Sequence, residues 1–361
     1  MKTNGGNADS QQALCYACSY VPEEIIIAAG LVPRRALPES RPSDSDSHIH
    51  ASTCFFVKSL LAAALEGAFS NTAGFIFANS CDGMRKLYDI WKRYVEQVPP
   101  FFIDVPKKRD EDSIEFFASE LRRLIDTLES KFPGSTVTEE NLEIAIKTCN
   151  MIRRQMGQVF ELQRAAKPGV RGSDILDLTL EAAHLSPAEF GDKLARFLST
   201  AKKEKPVQNG LRIVLYGNVV NRPDLVGLIE DSGAQVVALD TCFGVRHYDL
   251  LVEEDTSNPI RALARRYLLR APCARMEGFE TRFQYMKRLV NSCKADGVIY
   301  SVVKFCDSHV YDLPMLTDSF RAAGIPFLFI ENDYEWTGLE QIATRVEAFL
   351  EMIGQGGGGN V

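Results

Sequence analysis

Nine cysteines are the residues of this 361-residue chain with the most distinctive chemistry. The odd total fits disulfide pairing poorly. Deprotonated thiols bind soft metals and iron–sulfur clusters. The sequence therefore leaves three interpretations: buried inert thiols, redox or nucleophilic thiols, and metal ligands. Six cysteines fall at breaks between predicted elements, and these are the candidate metal ligands: Cys18, Cys54, Cys81, Cys242, Cys273 and Cys306.

Three of the six cysteines end segments of similar pattern. GFIFANSC ends at Cys81, AQVVALDTC at Cys242 and GVIYSVVKFC at Cys306. Each segment is an apolar run followed by a polar break, which predicts a strand that ends just before the thiol. Ligands collect at the carboxyl ends of parallel strands, and the N-terminus of a following helix favours a thiolate. These positions are therefore suited to hold a soft metal or a cluster.

The other three candidate cysteines occupy comparable breaks. Cys18 directly precedes a predicted helix start, for which Ser19 is the predicted N-cap and Pro22 lies in the first turn. Cys54 comes just before an amphipathic pattern, and Cys273 follows a proline in a predicted loop. A closed zinc site normally uses local ligand pairs. Ligands from such distant parts of the chain instead favour a cluster held between two domains.

The remaining cysteines and two nearby histidines carry weaker signals. Cys149 and Cys293 lie inside helical patterns and are predicted to be buried hydrophobic residues. Cys15 forms a lone CxxC motif with the first candidate, without a thioredoxin-like context. His247 and His309 are predicted loop residues with a structural or solvated role rather than that of a proton donor.

The elements that position these cysteines alternate between strand and helix, which predicts parallel sheets. Further strands are predicted over 101–106, 212–218 and 326–333. A middle region rich in charged residues predicts helices over 113–132, 138–165 and 186–205. The predicted fold class is thus α/β, with two parallel-sheet domains flanking a helical segment. The expected divisions are an N-terminal domain, a helical segment, a C-terminal domain and a flexible glycine-rich tail: 1–106, 107–205, 206–353 and 354–361.

Composition and charge exclude several classes of protein. Hydrophobic residues make up 45% and charged residues 25%, as in ordinary globular proteins. The formal net charge of -7 gives no reason to expect a nucleic acid or an anionic membrane as partner. No apolar run is long enough to span a membrane, and the first residues lack the apolar segment of a secretory signal. We therefore expect a cytoplasmic protein, in which thiols stay reduced.

Four segments resemble a known family. CSYVPEEIIIAAGLVPRR, CFFVKSLL, NSCDGMRKLYDIW and FCDSHVYDLPMLTDSFRAAGIPFLFIENDY are similar to segments of 2-hydroxyacyl-CoA dehydratases and benzoyl-CoA reductase subunits. The family includes the double-cubane-cluster reductases, and the similarity extends over about residues 15–353. The resemblance implies an oxygen-sensitive enzyme with a [4Fe–4S] cluster at the domain interface, bound by Cys54, Cys81 and Cys306. It also implies a paralogous partner subunit and an ATP-hydrolysing Fe–S activator, whose electron converts an acyl-CoA substrate into a ketyl radical.

Two alternatives stay open beside this dehydratase or reductase hypothesis. The double-cubane branch resembles the same fold with additional cysteines, matched here by Cys18, Cys242 and Cys273. It implies a homodimeric reductase of small molecules with an [8Fe–9S] cluster. The other alternative is an electron-transfer or scaffold subunit, whose fully thiolate-ligated cluster does no chemistry of its own.

Overall fold

The computed structural model describes residues 12–165, 169–201 and 210–356 and contains two parallel sheets of four strands each. The α/β fold class with parallel sheets is therefore confirmed. The predicted division after residue 205 and most of the predicted tail, residues 357–361, lie outside the described residues. The proposed domain boundaries stay predictions.

The first sheet has the strand order β2-β1-β3-β4. The predicted strands at 74–78 and 101–106 are confirmed as β3 and β4. Two four-residue strands, β1 and β2, were not predicted; Ala13 of β1 pairs with Val32 of β2. The elements of this part of the chain are β1 (Ala13–Tyr16), α1 (Glu23–Ala28), β2 (Val32–Arg35), α2 (Phe55–Leu65), β3 (Gly74–Ala78), α3 (Asp82–Tyr94) and β4 (Pro100–Ile103), with a 3-10 turn at Pro42–Ser45.

The middle of the chain is helical, as predicted. Side chains that accept a backbone N–H fix two of the helix starts, Asp110 for α4 and Thr138 for α5. Ser186 and Glu189 form a reciprocal capping box at the start of α7, the helix predicted from residue 186. Helix α6 was not predicted. The helices are α4 (Glu111–Lys131), α5 (Glu139–Arg164), α6 (Gly172–Glu181) and α7 (Pro187–Ala201), with a 3-10 turn at Ala182–His184.

The second sheet has the order β6-β5-β7-β8 and contains the four strands predicted for this region. Three of these strands, β5, β6 and β7, are almost entirely buried, which is typical of parallel strands covered by helices on both faces. The elements are β5 (Leu211–Gly217), α8 (Asp224–Asp231), β6 (Ala234–Asp240), α9 (Val245–Tyr248), α10 (Pro259–Leu269), α11 (Phe279–Cys293), β7 (Gly297–Val303), α12 (Asp307–Val310), α13 (Leu313–Ala322), β8 (Phe327–Asn332) and α14 (Leu339–Gly354).

The loops at the carboxyl ends of the two sheets contact each other directly. The backbone N–H of Phe55 donates to the carbonyl of Lys304 at 3.1 Å. The Arg275 guanidinium donates to the carbonyl of Val105 at 2.8 Å, and the Tyr334 hydroxyl donates to the carbonyl of Pro38 at 2.9 Å. One buried hydrophobic cluster also contains residues from both sheets. The two sheets are therefore packed with their strand ends facing a common region.

Candidate functional site

Each sheet has one topological switch point, where the chain leaves one side of the sheet and continues on the other. It lies between β1 and β3 in the first sheet and between β5 and β7 in the second. Such points open a crevice beyond the carboxyl ends of the strands, where open α/β sheets bind ligands. Cys18 follows β1 and Cys81 follows β3, while Asn218 follows β5 and Cys306 follows β7. The candidate cysteines thus lie at both crevices.

All six candidate cysteines line a single cavity between the two sheets. Its empty space is about 690 Å³, including the opening to solvent. The walls come from both halves of the chain, and the polar residues that line it together with the cysteines include Tyr20, Arg35, Asn218, Arg275 and His309. Cysteines separated by up to 288 positions, from Cys18 to Cys306, are thus brought together by the fold.

Backbone hydrogen bonds fix the cysteines in place. Cys54, Cys81 and Cys306 are the residues that directly precede α2, α3 and α12. The N–H of Cys242 donates to the carbonyl of Asn218 at 2.9 Å, and the carbonyls of Cys18 and Cys273 each accept an N–H three residues later. These tight turns hold the thiols at defined positions of the wall.

The predicted N-cap role of Ser19 is wrong. Helix α1 begins at Glu23 with Pro22 as its N-cap residue, and a backbone hydrogen bond between Val21 and Cys18 forms a turn before it. The Ser19 hydroxyl instead accepts a hydrogen bond from Arg270 at 2.8 Å. Cys18 therefore lies in a turn whose next residue binds a buried arginine from the C-terminal half.

The thiols interact with one another as two linked groups of three. The neighbouring Cys54 thiol, together with burial, raises the pKa of Cys306 well above its ordinary value. Burial raises the pKa of Cys81 to about 12, with Cys306, Cys18 and Cys273 as further causes. Burial likewise raises the pKa of Cys242 to about 12, with Cys273 as the largest neighbouring contribution. Cys54, Cys81 and Cys306 form one group, which Cys81 links to a group of Cys18, Cys242 and Cys273.

These shifts correct the expectation that the helix N-termini favour thiolates. The backbone N–H of Met84 acts to lower the pKa of Cys81, but burial outweighs that effect. In the protein without metal, Cys81, Cys242 and Cys306 are therefore neutral thiols. Binding of a metal must release their protons, and the attraction between metal and thiolate must offset the cost of doing so.

The cysteines do not form a compact site for a single metal ion. Among residues 12–165, 169–201 and 210–356, no three cysteine, histidine, aspartate or glutamate side chains lie close enough together to bind one metal ion. In a cubane each iron takes one cysteine, so the ligands of a cluster need not converge on one point. Thiols that line one cavity wall are compatible with that arrangement.

Buried arginines surround the cavity with positive charge. Arg35, Arg246, Arg270 and Arg275 are each at least nine-tenths buried. Arg246 forms an ion pair with Asp240 at 2.8 Å. In the described part of the chain, the other three have no carboxylate within ion-pair distance, and Arg270 and Arg275 bond to carbonyl, hydroxyl and thioether groups only. Buried cations need a counter-charge, and an iron–sulfur cluster with thiolate ligands is an anion of that kind.

The predicted loop placement of the two histidines is wrong. His247 lies in α9, and His309 lies in α12 with an exposed fraction of 1%. The Tyr300 hydroxyl donates to the His309 carbonyl and lies 2.9 Å from Nδ1 of the ring. The Nε2 atom has no hydrogen-bond partner among the described residues, and His309 lines the cysteine cavity. Burial, together with Arg246 and Arg282, lowers the pKa of His309 well below its ordinary value, so the ring is neutral.

The other three cysteines do not line this cavity. Cys149 is buried within α5, and Cys293 is buried at the end of α11. Cys15 lies on β1 and lines a different cavity, so the CxxC motif does not place two thiols in one site. The arginines around the cavity were not predicted from the sequence, because a single arginine is not part of a recognisable motif.

A surface cleft leads to the first group of thiols. Cys54, Cys81 and Cys306 also line an open cleft of about 910 Å³, whose other walls include Asp82 and Lys86. The second group, with Cys18, Cys242 and Cys273, does not line this cleft. The first group is therefore the side of the site that faces the exterior.

Comparison with known proteins identifies relatives over nearly the whole chain. The family described as "2-hydroxyglutaryl-CoA dehydratase, D-component" matches residues 18–353, and the chain belongs to this family. The (R)-phenyllactyl-CoA dehydratase beta subunit of Clostridium sporogenes is 28% identical over 347 residues, covering 95% of this chain and 92% of the relative. One of the benzoyl-CoA reductase subunits of Thauera aromatica is 26% identical over 355 residues, covering 95% and 91%. The beta subunit of (R)-2-hydroxyglutaryl-CoA dehydratase from Acidaminococcus fermentans is 24% identical, covering 96% and 93%. The resemblance drawn from the sequence is thus confirmed.

Proposed function

Starting from this family membership, we propose that the chain is a subunit of an oxygen-sensitive iron–sulfur enzyme of the 2-hydroxyacyl-CoA dehydratase and benzoyl-CoA reductase type. It would reduce or dehydrate its substrate through a radical, with a low-potential electron from an ATP-hydrolysing activator. The observation that supports this proposal best is the convergence of six cysteines from both sheets on one cavity.

In this proposal Cys54, Cys81 and Cys306 hold a [4Fe–4S] cluster. Three thiols leave one iron open, so the bound cluster would supply a low-potential electron and a Lewis acid for the substrate carbonyl. The chain's own residues provide the rest of the site. The loops of the two sheets enclose the half-buried thiols. Arg275 in the cavity wall and the buried Arg270 nearby supply positive charge that balances the thiolates.

A second candidate is the homodimeric double-cubane reductase of small molecules, with an [8Fe–9S] cluster. The observation that favours it is the position of Cys18, Cys242 and Cys273 in the same cavity as the first three thiols. A single [4Fe–4S] cluster with three cysteine ligands leaves these thiols without a role. Two cubanes with three cysteine ligands each would use all six.

The proposed partners follow from the relatives and from the cleft. Several relatives are named as single subunits of dehydratases or of benzoyl-CoA reductase, which supports a paralogous partner or a second copy of this chain. The surface cleft at Cys54, Cys81 and Cys306 supports electron entry from an activator on that side. No helix in the described ranges has the length and apolar character of a membrane span. We propose a cytoplasmic location and an acyl-CoA or other small-molecule substrate.

The proposal is tested by measuring the iron and acid-labile sulfide content per chain after purification without oxygen. About four irons support the single cluster, whereas about eight support the double cubane. Absence of iron after anaerobic purification and reconstitution would refute both.

Cysteine variants assign the ligands. Cys306→Ser should strongly lower iron content in either case. Cys242→Ser and Cys273→Ser should leave it nearly unchanged with a single cluster and lower it by about half with a double cubane. Cys15→Ser is the matched control, since this thiol lies close in sequence to Cys18 but lines another cavity.

A further inference from the structure

A second cavity borders the cysteine cavity. Its empty space is about 470 Å³, including the opening to solvent, and its polar lining includes Tyr16, Glu23, Arg35, His247 and Thr179. Arg35 lines both cavities. No candidate cysteine lines the second cavity, so the proposed cluster site does not account for Glu23 and His247 there.

Arg35 has the environment of a residue that binds an anion. Its exposed fraction is 6%, and its guanidinium carbon lies 3.8 Å from the centre of the Phe243 ring. The Nε group donates to the carbonyl of Ala17 at 3.3 Å. Within the described residues, neither Nη group has a hydrogen-bond partner, and no carboxylate forms an ion pair with it. A buried guanidinium with both Nη groups free is matched by the two oxygens of a carboxylate.

A hydrogen-bond acceptor lines the same cavity. The Tyr16 hydroxyl donates to Glu23, and Nε2 of His247 lies 3.5 Å from Oε1 of the same carboxylate. Burial by itself would raise the pKa of Glu23, but hydrogen bonds from His247 and Tyr16 outweigh it and lower the pKa to about 2. An ionised Glu23 keeps the ring hydrogen of neutral His247 on Nε2. The Nδ1 atom is then a bare acceptor, and it is buried with no partner in the described ranges.

The rest of the wall is largely apolar and includes Ile152, Leu185 and Phe190. A ligand of this cavity thus meets a guanidinium, a nitrogen lone pair, apolar side chains and the Glu23 carboxylate, whose charge is engaged by Tyr16 and His247. We propose that the cavity binds a short organic carboxylate that also carries a hydrogen-bond donor, with the carboxylate on Arg35 and the donor on Nδ1 of His247. The inference goes beyond the proposed function, because it assigns a ligand site next to the cysteine cavity, and Arg35 lines both cavities.

Calorimetric titration of the anaerobically purified chain with three small probes tests this inference. Glycolate carries the carboxylate and a hydroxyl, acetate lacks the hydroxyl, and glycolamide replaces the charge by a neutral amide. Glycolate should bind at least tenfold more tightly than glycolamide, since hydrogen bonds to a charged group are lost with the amide. It should also bind more tightly than acetate.

Variants locate the binding. Arg35→Gln should weaken glycolate binding at least tenfold, and His247→Ala should lower glycolate affinity to that of acetate. Arg34→Gln is the matched control, because Arg34 is the neighbouring arginine on β2 and lines neither cavity. Equal binding of glycolate and glycolamide by the wild-type chain would refute the inference, as would unchanged binding in a folded Arg35→Gln variant. If that variant does not fold, Arg35→Lys and the wild-type probe comparison still decide the matter.

Iron content of the same samples separates this inference from the proposed function. Selective glycolate binding by a chain that takes up no iron would refute the proposed function and leave the anion site standing. An iron-loaded chain that does not distinguish glycolate from glycolamide would refute the anion site and leave the proposed function standing.

Discussion

A buried ion pair joins the N-terminal half, the middle helices and the C-terminal half of the chain. Glu24 of α1 is fully buried, and its Oε1 lies 2.5 Å from Nη2 of Arg153 in α5. The hydroxyl of Tyr267, in α10, donates to the other oxygen at 2.8 Å. Replacement of Glu24 by glutamine keeps the shape but leaves the Arg153 charge buried without a counter-ion.

Loss of one partner from a buried ion pair costs about 3–5 kcal/mol. We therefore expect Glu24→Gln to lower the free energy of unfolding by about 4 kcal/mol. With a urea dependence of about 3 kcal/mol per molar or more for a chain of this size, the midpoint should fall by roughly 1 M. Urea unfolding followed by circular dichroism measures both quantities.

Two further variants make the test specific. Glu181→Gln removes one partner of a partly exposed ion pair with Lys193 and should cost about 0–1 kcal/mol. The double variant Glu24→Gln, Arg153→Met removes both charges and should cost less than Glu24→Gln alone. A cost for Glu24→Gln as small as that of Glu181→Gln would show that the buried pair does not hold the halves of the chain together.

Three other predictions concern the backbone, pH dependence and the thiols. Gly217→Ala should lower the free energy of unfolding by about 3 kcal/mol or more, because the added Cβ would lie 1.9 Å from a carbonyl oxygen of β7. Gly227→Ala is the control, since its Cβ would enter open space on α8, and it should raise the free energy of unfolding by up to about 1 kcal/mol. Thermal unfolding measures both. Burial lowers the pKa of His247 to about 3, so its contribution to stability is complete above pH 6.5 and is lost as the pH falls toward 3. This loss amounts to at most about 1.4 kcal/mol per pH unit. Urea unfolding at pH 7 and pH 5 should show that His247→Gln removes this pH dependence. In the folded chain without metal, Cys81 and Cys242 should react with iodoacetamide at pH 8 far more slowly than after unfolding, as measured by mass spectrometry. The reason is that the pKa of each is raised to about 12, which leaves almost no thiolate.

Local sequence patterns predicted most of the fold. Apolar runs with a polar break predicted six of the eight strands, because a buried parallel strand is apolar throughout. Strands β1 and β2 have only four residues each, and β2 has the sequence VPRR. Such a segment carries no strand pattern of its own and becomes a strand because β1 pairs with it. The Ser19 prediction failed for a related reason: its hydroxyl binds Arg270, which is distant in sequence.

The sequence by itself determined the positions of the six cysteines and their places at strand ends and element boundaries, because short-range patterns encode where strands and helices end. Only the tertiary structure brought them into one cavity, since it places the switch points of two separate sheets opposite each other. It also reversed the expected ionisation of Cys81, Cys242 and Cys306, because burial outweighs the effect of a helix N-terminus. Arg35 had no recognisable role in the sequence. Its burial without a carboxylate partner arises from contacts between segments that are far apart in the chain.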